Sequence, residues 1–153
     1  MKALILYSSS SFPLSAVAGA IYLKKISPGK PAADLWDLPF TKDYKKYSLG
    51  CMCYLGRGED GTEVVAFSAR SGRIILKNLI ETFLKINGID TDHCRVREIN
   101  LPVKVSLLLG EILLSIPFSS GAGKKLLEKY INRVYPQLAQ AVKLDCNFQI
   151  SDN

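Results

Sequence analysis

Apolar and polar positions fall in blocks along this chain, and the period of each block predicts its structure. Ala3-Leu-Ile-Leu-Tyr7 is apolar without a break and carries no charge. Such a run predicts a strand over residues 3–8, covered on both faces and central in a helix-flanked sheet. Ser8 to Ser11 end it with consecutive hydroxyls. Pro13 suits a first helical turn, with Ser11 or Phe12 as the cap region. Val17, Ala20, Ile21 and Lys24 recur at helical spacing between Leu14 and Lys25. Ala16, Ala18, Gly19 and Ala20 are small, so this helix can lie close to the sheet.

Further along, Ser27-Pro-Gly-Lys-Pro31 reads as a loop. Ala32 to Pro39 reads as one short helix closed by Pro39, with Trp36 as its packing anchor. Cys51–Leu55 and Thr62–Phe67 flank Gly56-Arg-Gly-Glu-Asp-Gly61, which is a hairpin signal. Ser68 to Arg73 is a second polar loop. A helix over Ile74 to Ile86 follows, with Ile75, Leu79, Phe83 and Ile86 as its buried stripe and Gly88 as its stop. Cys94 to Leu101 alternates and predicts a strand at a sheet edge. Pro102 opens a helix over Val103 to Ile116 that is apolar on nearly every side. It is either a sandwiched core element or an oligomer interface. Pro117 stops it, and a last helix starts at Ser119 to Gly123 and runs to Val142, kinked or divided at Pro136. There is no internal repeat.

This order predicts one three-layer α/β domain over residues 1–145, with a loose tail at 146–153. Its sheet is mixed and mainly four-stranded, with helices on both faces. It is Rossmann-like, or P-loop-like without a Walker motif, since G-x-x-x-x-G-K-[ST] is absent.

Composition narrows the partners more than the reaction. The chain has 153 residues, 48% apolar and 22% charged, which is the balance of a globular domain. Its net charge of +6 suits an anionic partner. Basic residues form no run of five or more, and they do not interleave with aromatics into a nucleic-acid module. The N-terminus has no clean signal-peptide pattern, and Val105 to Phe118 is too short to span a bilayer. Four cysteines without a secretory signal point to reduced thiols in a cytoplasm.

One place has candidate chemistry. A strand, a hydroxyl-rich loop and a helix N-terminus form the half-unit on which α/β proteins build anion sites. Ser8, Ser9, Ser10, Ser11 and Ser15 lie there, and amides from Phe12 to Ser15 open the helix. Arg70 and Arg73 sit in the second strand-to-helix loop and would reach it if the two strands run parallel. Together they could hold a phosphorylated small molecule, guanidinium groups gripping phosphate by paired bonds. The plainer reading is that the serines cap the helix and the arginines face solvent. Gly121-Ala-Gly-Lys-Lys125 only faintly resembles a phosphate loop. Cys51, Cys53, His93 and Cys94 match no common zinc spacing, so they read as buried structural thiols and a loop histidine. No cofactor motif, Ser-His-Asp arrangement or carboxylate pair stands out, and no reaction is specified. The alternative function is a protein-interaction or structural role, with the 103–116 helix forming a homodimer.

The opening unit, Leu6 to Leu23, resembles the start of a bacterial family known as domain of unknown function 3189. The likeness continues through the Leu-Pro excursion at Leu35 to Phe40, the hairpin at Gly50 to Ala69, the Arg-bearing Ala69-Arg-Ser-Gly72 and the late Tyr135-Pro136. The family's first-loop glycines and histidine stand here as Ser10, Ser11 and Pro13. The resemblance implies a fold; it implies no activity.

Overall fold

The structure is a computed structural model that describes residues 2–29, 31–43, 50–69, 73–88, 93–102 and 104–143. Its centre is β1 (Ala3–Ser8), flanked by β3 (Glu63–Ser68) and β4 (Cys94–Glu98), both parallel to it. β2 (Met52–Arg57) pairs antiparallel with β3, giving one four-stranded mixed sheet in the order β2-β3-β1-β4. The charge-free run is therefore an interior strand and the alternating run after Cys94 is an edge. The hairpin carries a bulge between Tyr54 and Gly56, where Gly56 takes φ +127°, a backbone open to glycine at little cost.

Small residues set the depth of the first helix. α1 (Leu14–Tyr22) lies on one face of the sheet, and a Cβ added at Gly19 would come within 2.3 Å of Leu55 and 3.1 Å of Val64. Leu4, Leu6, Val64 and Ala66 are buried beneath it. Each large side chain buried there contributes roughly 1.5–3 kcal/mol of transfer free energy. α1 ends earlier than its sequence pattern suggests, because Lys24 turns left-handed at φ 57°.

The Leu-Pro excursion forms two short helices, α2 (Pro31–Leu35) and α3 (Pro39–Lys42). Pro39 thus opens a helix where a closing role was expected, since a proline lacks only the N–H that a first turn leaves unbonded. Trp36 anchors the excursion, its indole N–H donating to Glu128 at 2.8 Å with Lys124 5.5 Å from its ring centre. Glu128 and Lys124 belong to α6 (Ser120–Lys143), which follows α5 (Val105–Ser115) and a single 3-10 turn at Pro117–Ser119. α6 packs against α1, α2 and α5. It runs unbroken through Pro136, held on either side by buried Val134, Leu138 and Ala139. Gly121 to Lys125 falls inside its first turns and is no loop.

α4 (Arg73–Ile86) links β3 back past β1 to β4, and a right-handed return puts it over the other face. That face is thinly covered: Ile5, Val65 and Phe67 are only half-buried. The expected buried stripe of α4 is overturned, since Ile75, Leu79, Phe83 and Ile86 are 62–79% exposed. The helix is apolar on two sides, and it is the side with Ile80 and Leu84 that turns inward. Periodicity finds both stripes and cannot rank them. The expected tail at 146–153 lies outside the described residues.

Candidate functional site

Because β1 and β3 are parallel, the loops leaving their carboxyl ends start side by side, and the Ala69 amide donates to the Ser8 carbonyl at 2.9 Å. The strand direction needed to bring the serine loop and the arginine loop to one end of the sheet is therefore met. Arg70 lies outside the described residues, and so does the side chain of Arg73, the first residue of α4.

Two of the serines act as ties between elements. Ser8 is buried and its hydroxyl donates to Ser15 Oγ at 3.4 Å; Ser15 donates to the Phe67 carbonyl at 2.9 Å. They fasten the first turn of α1 to β1 and β3. Ser9 is half-buried, and the Ser10 hydroxyl closes the loop on the Phe12 carbonyl. No side chain caps α1 in the expected way, for Pro13 holds the cap position and makes no side-chain bond.

The expected anion position holds a carboxylate from the chain itself. Ser11 Oγ donates to Glu111 Oε2 at 2.8 Å, and the Phe12 N–H donates to Glu111 Oε1 at 2.6 Å. Both distances are those of charge-assisted bonds. The carboxylate also faces the positive end of the α1 dipole. Sequence reasoning missed Glu111, which is the one charge inside an apolar helix; a lone charge in such a run is the signal that could have found it. Behind it, buried Tyr130 donates to the Pro102 carbonyl at 3.4 Å. Burial pushes its phenol above the usual range, and the Glu111 charge pushes it further.

α5 thus has a polar inward contact, and its outer face is different in kind. Val105, Leu108, Leu109 and Ile112 recur on one helical face at 48–71% exposure, continued by Ile116 at 45% and by fully exposed Phe118. Leu107 and Gly110 are buried on the side towards α6. There a Cβ on Gly123 would lie 2.7 Å from the Leu114 amide nitrogen and 2.9 Å from the Gly110 carbonyl oxygen, so the two backbones touch.

The cysteines differ from expectation. Cys94 is buried, Cys53 is half-buried and Cys51 is exposed just ahead of β2. Burial raises the thiol pKa at Cys53, against a smaller opposing pull from Lys25, and at Cys94. Neither is tuned as a thiolate nucleophile. Among the described residues no three of His, Cys, Asp and Glu gather as metal ligands, and no helix is long and apolar enough to cross a membrane. A cavity of about 370 Å³ lies at the other end of the sheet, by the amino ends of β1 and β4. It is far from the serine loop.

A family model described as "Protein of unknown function (DUF3189)" matches residues 3–144. No curated protein and no solved structure matches the chain.

Proposed function

The chain belongs to the DUF3189 family of proteins of unknown function, and on that premise we propose that it is a self-associating protein whose α5 forms the contact between two copies. One observation carries this reading: the outer face of α5 and the turn after it expose six large apolar side chains. Their spacing follows one side of a helix, so they make a stripe that a second helix can cover. The stripe's chemistry favours a second copy. The protein carries +6 overall, yet this face carries no charge, so like meets like here without repulsion. A two-fold pairing needs a self-complementary patch, and an uncharged stripe of Leu and Ile is one.

Light scattering across a concentration series tests this. The expected result is a dimer that Leu109→Glu converts to a monomer with its circular dichroism unchanged. A wild-type monomer at every concentration overturns it.

The Glu111 contact favours a second reading, a binding module for a phosphorylated small molecule. The serine loop already holds one anion, the glutamate, through an amide and a hydroxyl. A phosphate group displacing Glu111 would find those two donors, the Phe12 amide and the Ser11 hydroxyl, and on this reading Arg70 and Arg73, which follow β3 in sequence, would add their guanidinium groups. On this reading Glu111 keeps the site closed until a ligand competes for it.

A further inference from the structure

The cavity at the amino end of the sheet is remote from both α5 and the serine loop. Lys2, Lys24, Arg57 and Arg95 line it, against only Glu59 and Asp60. Glu59 meets Lys24 at 2.6 Å; Asp60 accepts from the Tyr22 hydroxyl at 3.0 Å and the Thr62 hydroxyl at 2.7 Å; Arg57 donates to the Gly61 carbonyl at 3.0 Å and lies 3.6 Å from Glu63. The lining is still net basic around a volume of about 370 Å³, within the range of small-molecule sites. Ala3, Leu4 and Leu23 supply an apolar wall beside it.

A second observation, independent of the charge count, marks the same place. Lys24 closes α1 in a left-handed conformation, φ 57°. Its amide bonds Ile21 O at 3.0 Å, and the Lys25 amide bonds Ala20 O at 2.8 Å. This pair of bonds is a helix stop at which glycine is the residue of least strain. Among the described residues Lys24 is the only non-glycine with positive φ. Its ion pair with Glu59 does not account for the choice, because the two side chains are 73% and 81% exposed and such pairs contribute little. Strain kept at one residue on the rim of a cavity is a mark of function.

We propose that this cavity is a binding site for a small organic phosphate monoester, with Lys24 and Arg95 gripping the phosphate and the apolar wall taking the organic body. The neighbouring lysine and arginines raise the local potential for a dianion. Guanidinium offers paired donors to phosphate oxygens. The site stands apart from the serine loop and does not depend on it.

Titration calorimetry with adenosine monophosphate, glucose 6-phosphate and inorganic phosphate tests it, alongside thermal melts. At least one of the two esters is expected to bind saturably, one per chain, and more tightly than inorganic phosphate. Arg95→Ala should weaken that binding about tenfold or more, the loss of one charge-assisted bond. Lys24→Gly is the sharper variant. It should raise Tm by about 2–4 °C through relief of the left-handed strain, and weaken binding at the same time. Ser11→Ala should leave binding unchanged; equal loss there would move the phosphate to the serine loop and overturn the assignment. Lys24→Gly that gains stability and keeps full affinity overturns it too, as does a flat titration with both esters.

Discussion

Glu111 offers the most direct test of the structure. Its carboxylate accepts from Ser11 Oγ at 2.8 Å and from the Phe12 amide at 2.6 Å. Removing it in Glu111→Ala breaks two charge-assisted bonds, each worth about 1.5–3 kcal/mol net. The two partners then differ. Ser11 is half-buried and its hydroxyl regains water, so little of its bond is lost overall. Phe12 is wholly buried, and its N–H is left without an acceptor. That orphan donor costs about 1–3 kcal/mol, and losing a negative charge at the helix start adds about 0.3–1 kcal/mol. The sum expected for Glu111→Ala is about 1–4 kcal/mol, which for a chain of this size lowers Tm by roughly 3–16 °C. Glu111→Gln keeps one carbonyl acceptor for the amide and should lose about half as much. Urea melts and calorimetry read both. Adding inorganic phosphate then tests the second functional reading: it should raise the Tm of Glu111→Ala clearly more than that of the wild type, where the carboxylate competes for the same donors. A Glu111→Ala variant melting within about 1 °C of wild type would refute the reasoning, since no other loss of this size is compatible with two short bonds to a buried turn.

The remaining predictions concern packing and pH. Gly123→Ala drives a methyl to 2.7 Å from the Leu114 nitrogen and 2.9 Å from the Gly110 oxygen, both backbone atoms. It should cost about 3 kcal/mol in urea unfolding, at the upper end for overpacking. Gly110→Ala comes too close to the Leu127 side chain alone, at 2.9 Å, with the Gly123 carbonyl oxygen at an ordinary 3.5 Å, and should cost clearly less. Tyr130 has a phenol pKa raised in the folded state by burial and by Glu111. A raised pKa means the native state holds its proton longer, so the contribution is fully present below the unfolded value of about 10 and is lost as pH rises beyond it. Stability measured between pH 9 and 11.5 (a window of order one unit either side) should fall more steeply in wild type than in Tyr130→Phe.

Much of the fold was legible in the residues, and the exceptions share a cause. The run at Ala3 to Tyr7 and the alternation after Cys94 stated their places in the sheet, because burial on two faces and on one leave different periods. Gly56 to Gly61 stated the hairpin, because turn chemistry is local. α4 did not state which of its stripes faces in, since that choice depends on what the sheet presents several dozen residues away. The serine loop showed its hydroxyls and its place before a helix, and the parallel pairing of β1 with β3 has the sense that reasoning required. Its partner was invisible because Glu111 lies ninety-nine positions beyond Phe12 in sequence, and nothing short-range links the two.

The bare seam between Gly110 and Gly123 has a mechanical consequence. Two helices whose backbones touch cannot slide or rock past one another, so α5 and α6 move as one lever. α6 in turn lies across α1 and α2. Swinging α5 off the serines would therefore mean prying up an entire layer, which is a large unfolding-like event. The cheap way to unlatch the loop is a rotation about the side-chain bonds of a single glutamate, on the nanosecond scale of rotamer exchange, with every helix staying where it is.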